Sequence, residues 1–168
     1  MSRPHRRARS LPDRPAPDPA AAAPFWEKPI DRLTPDEWEA LCDGCGKCCL
    51  TKLEYEDGGE IDFTDIACRL LDHHTCRCRD YPGRKAVVPD CIRLTPETIG
   101  QLDFMPPTCA YRLRAAGKPL PWWHYLISGD RETVHRVGQS ARDRVVCETE
   151  VSDDELVDHV VDWPARLP

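Results

Sequence analysis

Large apolar side chains are scarce in this sequence. Leu, Val, Ile and Phe together account for 33 of the 168 residues, and only two methionines are present. This fraction is close to the level below which chains lack enough apolar surface to fold. No apolar run of about seven residues follows the Arg-Arg pair near the start, and none approaches the roughly 18 residues of a membrane span. The composition therefore predicts a cytosolic chain whose small core needs a second source of stability.

The first 24 residues contain six prolines and five arginines, with almost no large apolar side chains. Such a segment cannot bury enough surface to offset the entropy that it loses on ordering. We predict a disordered tail over residues 1–24 and one folded domain over residues 25–168. The tail carries +3, from five Arg and two Asp, so the domain must carry −9 to reach the net charge of −6. An acidic domain argues against a nucleic-acid surface.

Several motifs that would indicate another chemistry are missing. The sequence has no Gly-rich nucleotide loop, and its acidic residues do not follow the spacing of a calcium loop. A separate second C-x-x-C pair, of the kind that paired zinc sites use, is also absent. The residues indicate no particular reaction, so a non-enzymatic function is favoured and the question of an enzyme stays open.

Cysteine, in contrast, is abundant. The sequence has ten, and four of them lie in the stretch CDGCGKCCL that begins at Cys42. A reducing cytosol disfavours structural disulfides, so clustered thiols there indicate metal or redox chemistry. The C-x-x-C-x-x-C spacing is that of the first three ligands of bacterial iron–sulfur loops, and the two glycines permit the backbone turns that such a loop needs.

Cys49 follows Cys48 directly. Neighbouring side chains of an extended segment diverge, so Cys49 is predicted to serve a second ion or the far side of a cluster. Eight thiolates would furnish two tetrahedral zinc sites, whereas the loop spacing is typical of a cluster such as 4Fe-4S, so zinc and iron both stay open. The candidate metal ligands are Cys42, Cys45, Cys48, Cys49, Cys68, Cys76, Cys78, Cys91 and Cys109.

The second cysteine region is the basic part of an acidic domain. Between residues 68 and 93, six Lys or Arg residues accompany only three Asp residues. Nearby cations lower the pKa of thiols and offset the excess negative charge of bunched thiolates. We therefore predict that these cations lie around the sulfur atoms.

CDGCGKCC resembles the C-x-x-C-x-x-C-C signature of the YcgN/YkgJ-type cysteine-cluster proteins, which are described as zinc- or iron-chelating domains. The similarity to the YcgN branch extends from about residue 25 to about residue 163 and includes FTDIACRLL, CRCRDY, PDCIRL and TCAYRL. The resemblance implies metal chelation, with Tyr81 and Arg84 orienting the cluster or hydrogen-bonding to it. Two departures from the broader YkgJ-like pattern leave the ligand set of each ion open, because Lys85 replaces a proline and Cys76 is an additional thiol.

The remaining pattern predicts a small, helix-rich α+β domain with a β-hairpin and irregular cysteine-rich loops organised around metal. One helix starts at a capping box that opens with Thr34. The hairpin joins alternating segments on either side of residues 57–59. One further helix is predicted to start at Thr95 and another to end at Gly117. A last helix is predicted to follow a capping box at Ser152, with strand character in ARDRVVCETEV before it.

Four further residues could take part but are weaker candidates. His73, His74 and His124 carry imidazole, a common metal ligand, yet the abundant thiols make an imidazole ligand unnecessary. Cys147 lies outside both cysteine regions and is predicted to be a small buried apolar residue.

These observations predict a cytoplasmic protein that chelates zinc or iron through its clustered cysteines. It would act in metal handling or as a metal-stabilised module for an unknown protein partner, without contacting nucleic acid or a membrane. Some flagellin lysine methylases look as if they carry a related cysteine cluster, so an iron–sulfur-dependent transferase, or an accessory to one, is the first alternative. A thiol redox switch, in which metal release alternates with disulfide formation, is the second.

Overall fold

Four short strands and five short α-helices form an α+β fold in residues 23–55 and 61–166, which the computed structural model describes. The strands are Leu50–Glu54 (β1), Ile61–Ala67 (β2), Val146–Cys147 (β3) and Val160–Val161 (β4). The α-helices are Pro35–Glu39 (α1), Arg84–Val87 (α2), Ala110–Ala115 (α3), Tyr125–Ser128 (α4) and Thr133–Arg136 (α5). Between them lie 3-10 turns at Phe25–Glu27, Ile30–Arg32, Lys47–Cys49, Ile99–Gln101, Glu148–Glu150 and Leu156–His159. The predicted α+β class is confirmed.

Helices are short throughout the described residues. The longest α-helix, α3, has six residues, so the expected richness in helix is not confirmed. The 17 prolines of the chain contribute to this, because proline removes a backbone donor and ends helices. No helix in this part of the chain is long and apolar enough to cross a membrane. The tail predicted over residues 1–24 falls almost entirely outside the described residues and stays a prediction.

Helix α1 begins where the sequence predicts it. The Thr34 hydroxyl accepts a hydrogen bond from the Glu37 amide (3.2 Å), and the Glu37 carboxylate accepts one from the Thr34 amide (3.0 Å). Trp38 is buried, and its ring lies 4.5 Å from that of Tyr111 in α3, measured between centroids. The helix thereby anchors the start of the cysteine-rich loop to the core.

β1 and β2 pair antiparallel, which confirms the predicted hairpin, although the turn predicted at residues 57–59 lies outside the described residues. The register places Leu50 opposite Ala67 and Glu54 opposite Ile61, with an irregularity just after Leu50. β2 is the central strand of a mixed sheet, parallel to β3 and antiparallel to β4. β1 begins at Leu50, directly after the last cysteine of CDGCGKCCL, so the chain passes from the cysteine-rich stretch straight into the sheet. Leu50 and Ala67 are both buried.

The helix predicted after Ser152 is wrong. A 3-10 turn occupies Leu156–His159, and Val160 then pairs with Thr64 of β2. The Glu155 carboxylate does accept a hydrogen bond from the Ser152 amide at 3.1 Å, but no α-helix follows it. β-Branched side chains pack well on a sheet, and pairing with β2 outweighs the weak helix preference of this segment.

The helix predicted from Thr95 is also wrong, and the strand predicted in ARDRVVCETEV forms only over the two residues of β3. The Thr98 hydroxyl accepts a hydrogen bond from the Thr95 amide at 3.3 Å, and only a 3-10 turn follows at Ile99–Gln101. Threonine side chains compete for backbone groups in this way and disfavour a helix interior. The segment therefore remains a series of turns.

Helix α3 ends as predicted. Gly117 follows it with φ of +66°, and the Lys118 amide donates to the Leu113 carbonyl at 2.8 Å, which satisfies a carbonyl at the helix end. At the other end, Cys109 immediately precedes the helix. The position of α3 therefore determines from where Cys109 approaches the cysteine loop.

The buried apolar side chains form two hydrophobic clusters. The larger cluster contains Trp38, Leu41, Ile99, Met105, Ala110, Tyr111 and Leu120. The smaller cluster contains Leu50, Ala67, Leu71, Cys76 and Ala141. Cys42 packs against the larger cluster and Cys49 against the smaller one, so the cysteine loop, residues 42–49, lies between the two.

Gly46 provides a test of how tightly this loop is held. Its φ is +75°, and an added Cβ would lie 3.2 Å from Cys76 Cβ and 3.3 Å from Ala141 Cβ. We expect Gly46→Ala to lower the free energy of unfolding by about 2–5 kcal/mol, because a left-handed alanine costs about 1–2 kcal/mol and overpacking about 1–3 kcal/mol. Urea denaturation measures the loss.

Gly138→Ala is the matched control. Gly138 has φ of +71°, and no atom of the described residues lies within 4 Å of its added Cβ. We expect Gly138→Ala to lower the free energy of unfolding only by the backbone cost of about 1–2 kcal/mol. Equal losses for the two variants would mean that the loop tolerates extra volume and is not tightly packed.

Candidate metal centre

Residues 42–49 form a tight loop. The Asp43 carboxylate accepts a hydrogen bond from the Cys45 amide at 3.1 Å. Gly44 and Gly46 adopt left-handed conformations, with φ of +76° and +75°, and a 3-10 turn follows at Lys47–Cys49. These turns bring the first three cysteines of the loop to one cavity.

Four cysteines line this cavity, and we call them the first sulfur group: Cys42, Cys45, Cys48 and Cys109. The cavity has a volume of about 30 Å³. Its remaining walls are largely apolar and include Leu94, Met105, Pro106 and Tyr111. Sequence spacing explains three of the four cysteines, whereas the fourth arrives from the start of α3.

Cys49 lies beside the first sulfur group. Its Sγ is 3.9 Å from the Sγ of Cys48. The expectation that these two side chains diverge is therefore wrong, because they lie in a 3-10 turn and not in an extended segment. Two sulfurs of a tetrahedral zinc site are about 3.8 Å apart, given a Zn–S bond of about 2.3 Å. The pair is therefore close enough to share an ion or to serve two adjacent ions.

Burial favours the protonated thiols in the first sulfur group. It raises the pKa of Cys42 and that of Cys109 to about 12, and the nearby charge of Cys48 adds to both effects. Burial also raises the pKa of Cys45 well above its usual range. Cys48 is more exposed, and its hydrogen bond with the Cys49 thiol is the first cause that raises its pKa. A metal ion must therefore displace protons to bind here.

Lys47 is a buried residue within the cysteine loop. It has no exposed surface (0 %), and its Nζ donates to Thr108 Oγ1 at 3.2 Å and to Gln139 Oε1 at 2.9 Å. Both acceptors are uncharged, and none of the ion pairs in the described residues includes Lys47. Burial lowers the pKa of Lys47, while the charge of Cys45 opposes this shift. Lysine is rarely buried unless paired. In the sequence, only its position between two candidate ligands indicated that Lys47 lies near the site.

Lys52 of β1 brings a second ammonium group to the same place. Its Nζ donates to the carbonyls of Cys48 (3.0 Å) and Leu50 (2.6 Å). It also lies 5.6 Å from the ring centroid of Phe63 and 5.8 Å from that of Phe104. Burial lowers the pKa of Lys52, and the Cys48 thiol is the largest opposing influence. Two lysine side chains therefore flank the first sulfur group.

The second sulfur group consists of Cys68, Cys78 and Cys91. Burial is the main cause that raises the pKa of Cys68, and the charges of Cys91 and Cys78 contribute. Cys68 directly follows β2, and Cys78 forms an isolated bridge with Leu71. The Cys68 amide donates to the Cys49 carbonyl at 2.9 Å, so Cys49 connects the two sulfur groups.

Two of the six cations of the second cysteine region form ion pairs with acidic side chains. Arg69 Nε lies 2.7 Å from a Glu148 carboxylate oxygen, and Arg79 Nε lies 3.7 Å from one of Asp72. Arg77 covers Gly44, where an added Cβ would lie 3.3 Å from the guanidinium carbon. Buried Lys47 of the loop and half-buried Lys52 of β1 are two further cations close to cysteines.

Two cysteines belong to neither sulfur group, although Cys76 packs against Gly46 of the cysteine loop. Cys76 is 5 % exposed and packs in the smaller hydrophobic cluster. Its φ is +55°, and burial raises its pKa to about 11. Its assignment as a metal ligand stays a prediction. Cys147 is half-buried in β3, where its Sγ lies 3.1 Å from Thr149 Oγ1.

Tyr81 and Arg84 contact each other and α1. The Tyr81 hydroxyl donates to a Glu39 carboxylate oxygen at 3.0 Å. The Arg84 guanidinium lies 3.8 Å from the Tyr81 ring centroid and donates to the Tyr81 carbonyl. The pKa of Tyr81 is raised by burial first and by Glu39 next, and Cys42 is close enough to contribute. The pair thus ties the second cysteine region to the helix that leads into the loop.

Tyr111 lines the cavity itself, and in the sequence it lies in TCAYRL, one of the stretches that carry the family resemblance. Burial raises its pKa strongly, and Cys42 is the largest of the neighbouring charges that add to this effect. Its ring also packs on Trp38 at a tilt of 44°, a contact between distant segments that no local pattern predicts.

His124 is a satisfied core residue. With the tautomer that suits its neighbours, Nε2 donates to the Leu41 carbonyl at 2.9 Å and Nδ1 accepts from the Leu126 amide at 3.2 Å. Both ring nitrogens are thereby used, which leaves no lone pair for a metal. His74 is exposed, and its Nδ1 lies 3.4 Å from an Asp143 carboxylate oxygen.

Within residues 23–55 and 61–166, no three His, Cys, Asp or Glu side chains are already arranged to hold a metal ion. The chemistry of the first sulfur group nevertheless fits one. Four thiols share one cavity, and thiolates are the ligands that zinc and iron sites use. A metal ion in this cavity would be held by all four members of the first sulfur group.

The raised pKa values predict how the stability of chelator-treated protein depends on pH. Below about pH 9, the ordinary pKa of an exposed thiol, Cys109 is neutral whether the chain is folded or not. As the pH rises from about 9 to about 12, only the unfolded thiol ionises, so stability is lost. We expect the Tm of the chelator-treated protein to fall over this range.

Cys109→Ala should make that fall shallower, because alanine does not titrate. Differential scanning calorimetry at a series of pH values measures both slopes. Identical slopes for the wild type and Cys109→Ala would contradict the assignment of a raised pKa to this thiol.

Residues 41–110 match the model of the CxxCxxCC family, described as “Putative zinc- or iron-chelating domain”. This range contains all members of both sulfur groups, together with Cys49 and Cys76. Cys147 alone among the cysteines lies outside it.

The chain is similar over most of its length to proteins named UPF0260. One from Rhodobacter capsulatus is 60% identical over 139 residues, which cover 82% of this chain and 93% of that protein. One from Rhodopseudomonas palustris is 58% identical over 146 residues, covering 86% of each chain. One from Allorhizobium ampelinum is 55% identical over 145 residues, covering 86% of this chain and 91% of its own. These names state a family and no activity.

No solved structure matches the chain significantly. The relatives share most of this chain at more than half identity, and the family model covers both sulfur groups. The chain therefore belongs to the UPF0260 proteins of the CxxCxxCC family, whose domain is associated with chelation of zinc or iron.

Proposed function

We propose that this protein binds zinc or iron at the first sulfur group and at an adjacent second centre, and that the metal joins the two hydrophobic clusters of the domain. The observation that carries the proposal is the convergence of four thiols on a single cavity. Soft metals prefer such ligands. The match to a zinc- or iron-chelating domain supports the same chemistry.

The size of the cavity favours a single ion in the first sulfur group. Its volume is about 30 Å³, and a cavity needs roughly 10–15 Å³ to hold one water molecule. One ion with four thiolate ligands fits that space, whereas a 4Fe-4S cluster brings its own iron and sulfide atoms and needs more. We therefore expect a mononuclear zinc or iron centre and treat a cluster as the alternative.

We propose that Cys49 completes the second centre with Cys68, Cys78 and Cys91. Its carbonyl accepts the Cys68 amide hydrogen bond, and its side chain packs on the smaller hydrophobic cluster. The separation of 3.9 Å from the Cys48 sulfur would make the two centres neighbours. Eight thiolates then serve two tetrahedral ions, and Cys76 is the spare thiol.

Bound metal would supply the stability that a lean core lacks. Structural zinc contributes an apparent binding free energy of about 10–16 kcal/mol in small peptides, while a whole domain is stable by only about 5–15 kcal/mol. Here the ligands come from the loop at 42–49, from the start of α3 and from the segment at 68–91. Metal binding would therefore cross-link three segments that are separated in the sequence.

We infer that the protein acts in the cytoplasm, in metal handling or as a metal-stabilised module that a protein partner recognises. All ten cysteines are free thiols, which suits a reducing compartment. The acidic charge of residues 25–168 disfavours nucleic acid as the partner. A fold that depends on its metal would make partner binding depend on metal supply.

Anaerobic purification without chelator, followed by elemental analysis and an absorption spectrum, tests the proposal. We expect two metal ions per chain and, for zinc, a colourless protein. A broad visible absorption band together with acid-labile sulfide would replace the single ion by an iron–sulfur cluster. Absence of any stoichiometric metal would overturn the proposal.

Serine variants separate the two centres. We expect Cys109→Ser and Cys91→Ser each to lower the metal content from two ions towards one, because each removes one ligand from a different centre. Cys147→Ser is the matched control and should retain both ions. If either ligand variant lost both ions while keeping its circular dichroism spectrum, a single shared centre would replace the two proposed here.

Removal of metal should lower the thermal stability of the domain. We expect a strong chelator to lower Tm by more than about 10 °C, because the lost binding energy is comparable with the whole stability of a small domain. Restoring zinc or ferrous iron should recover the original Tm. A chelator that strips the metal without changing Tm would rule out a structural role for it.

A further inference from the structure

Two ammonium groups lie beside the first sulfur group in positions where lysine is seldom found. Lys47 is completely buried, and its two hydrogen-bond acceptors, Thr108 and Gln139, are uncharged. The Lys52 Nζ is held by two backbone carbonyls and faces two phenylalanine rings. Neither lysine belongs to any of the ion pairs in the described residues.

Other charges near the first sulfur group do not balance these lysines. Asp43 is 7 % exposed, and its carboxylate is engaged by the Cys45 amide. Arg144 adds a further positive influence on Lys47, and Arg77 covers the outer side of the loop at Gly44. Counted together with half-buried Lys52, the two lysines outnumber the one buried carboxylate, and the fully buried ammonium of Lys47 has no ion-pair partner among the described residues, which is unfavourable in a medium of low polarity.

Metal binding reverses this imbalance. Four thiolates around a divalent ion carry an excess of negative charge, and the same holds for four thiolates around an iron–sulfur cluster. A buried ammonium nearby is then favourable, because charges interact strongly where water is excluded. The burial of Lys47, which is costly without metal, becomes stabilising once four thiolates hold an ion nearby.

We propose that Lys47 and Lys52 are the counter-charges of the first sulfur group and adapt it to a metal centre held by four thiolates. This inference rests on the proposed metal binding and specifies which class of centre the site accepts. A mixed site, in which neutral imidazole replaces thiolate, has less negative charge to offset and would gain less from these lysines. Lys47 lies between two proposed ligands in the loop, so packing of the loop positions the ligands and the counter-charge together.

Charge-removing variants of the full chain test the inference. Lys47→Met and Lys52→Met keep much of the side-chain volume and delete the ammonium group. Lys118→Met, at an exposed position, controls for the loss of one lysine elsewhere. Gln139→Met removes a hydrogen-bond acceptor of Lys47 and leaves the charge in place. Zinc affinity is measured by competition with a chromophoric chelator, and Tm is measured for chelator-treated and zinc-loaded forms.

We expect Lys47→Met to bind zinc roughly tenfold to hundredfold more weakly than the wild type. Its chelator-treated form should melt at the same temperature as the wild type or higher, and its zinc-loaded form lower. This difference in the change of Tm between the two forms is diagnostic, because the loss of the hydrogen bonds to Thr108 and Gln139 would lower Tm in both forms. Gln139→Met should therefore lower Tm in both forms without weakening zinc binding, and Lys118→Met should change neither quantity.

Lys52→Met should reproduce the weaker zinc binding, and Lys52→Arg should restore it, since arginine keeps the charge. This second lysine is only half-buried and provides the comparison if Lys47→Met does not fold. Unchanged zinc affinity in both methionine variants would overturn the inference and leave the proposed function intact. If wild type and Lys118→Met both took up no metal, the proposed function and this inference would fail together.

Discussion

Clustered thiolates inside a small domain create a problem of charge, and much of this structure follows from how that charge is placed. The loop at residues 42–49 carries three members of the first sulfur group, and it also carries Lys47, which is fully buried among uncharged acceptors. Lys52 adds a second cation where the loop enters the sheet. Three of the four proposed ligands and both lysines therefore belong to residues 42–52, so packing of that segment determines how they lie relative to one another.

That segment also connects the hydrophobic clusters. Cys42 packs on the larger cluster and Cys49 on the smaller, and the Cys45 carbonyl accepts a hydrogen bond from the Ala141 amide at 2.8 Å. In a chain with so few large apolar residues, neither cluster alone offers much burial. A metal held between them would link both to the same group of ligands, which explains why irregular loops can be tolerated around them.

Local sequence signals succeeded where short-range contacts dominate. The capping box at Thr34, the hairpin of β1 and β2 and the end of α3 at Gly117 all formed, because each depends on neighbours a few residues away. The signals failed where tertiary pairing competes with weak helix preference. Val160 joined β2 instead of a helix, since one row of sheet contacts outweighs the propensity of a few residues.

The sequence by itself determined the donor chemistry, because the spacing of the cysteine loop and the identity of its side chains are local properties. Tertiary structure decided which thiols meet. It brought Cys109 to the cavity from the start of α3, and it put Cys76 among apolar side chains. It also decided that Lys47 is buried beside sulfur. Burial and proximity arise from contacts between distant segments, so no local pattern of residues encodes them.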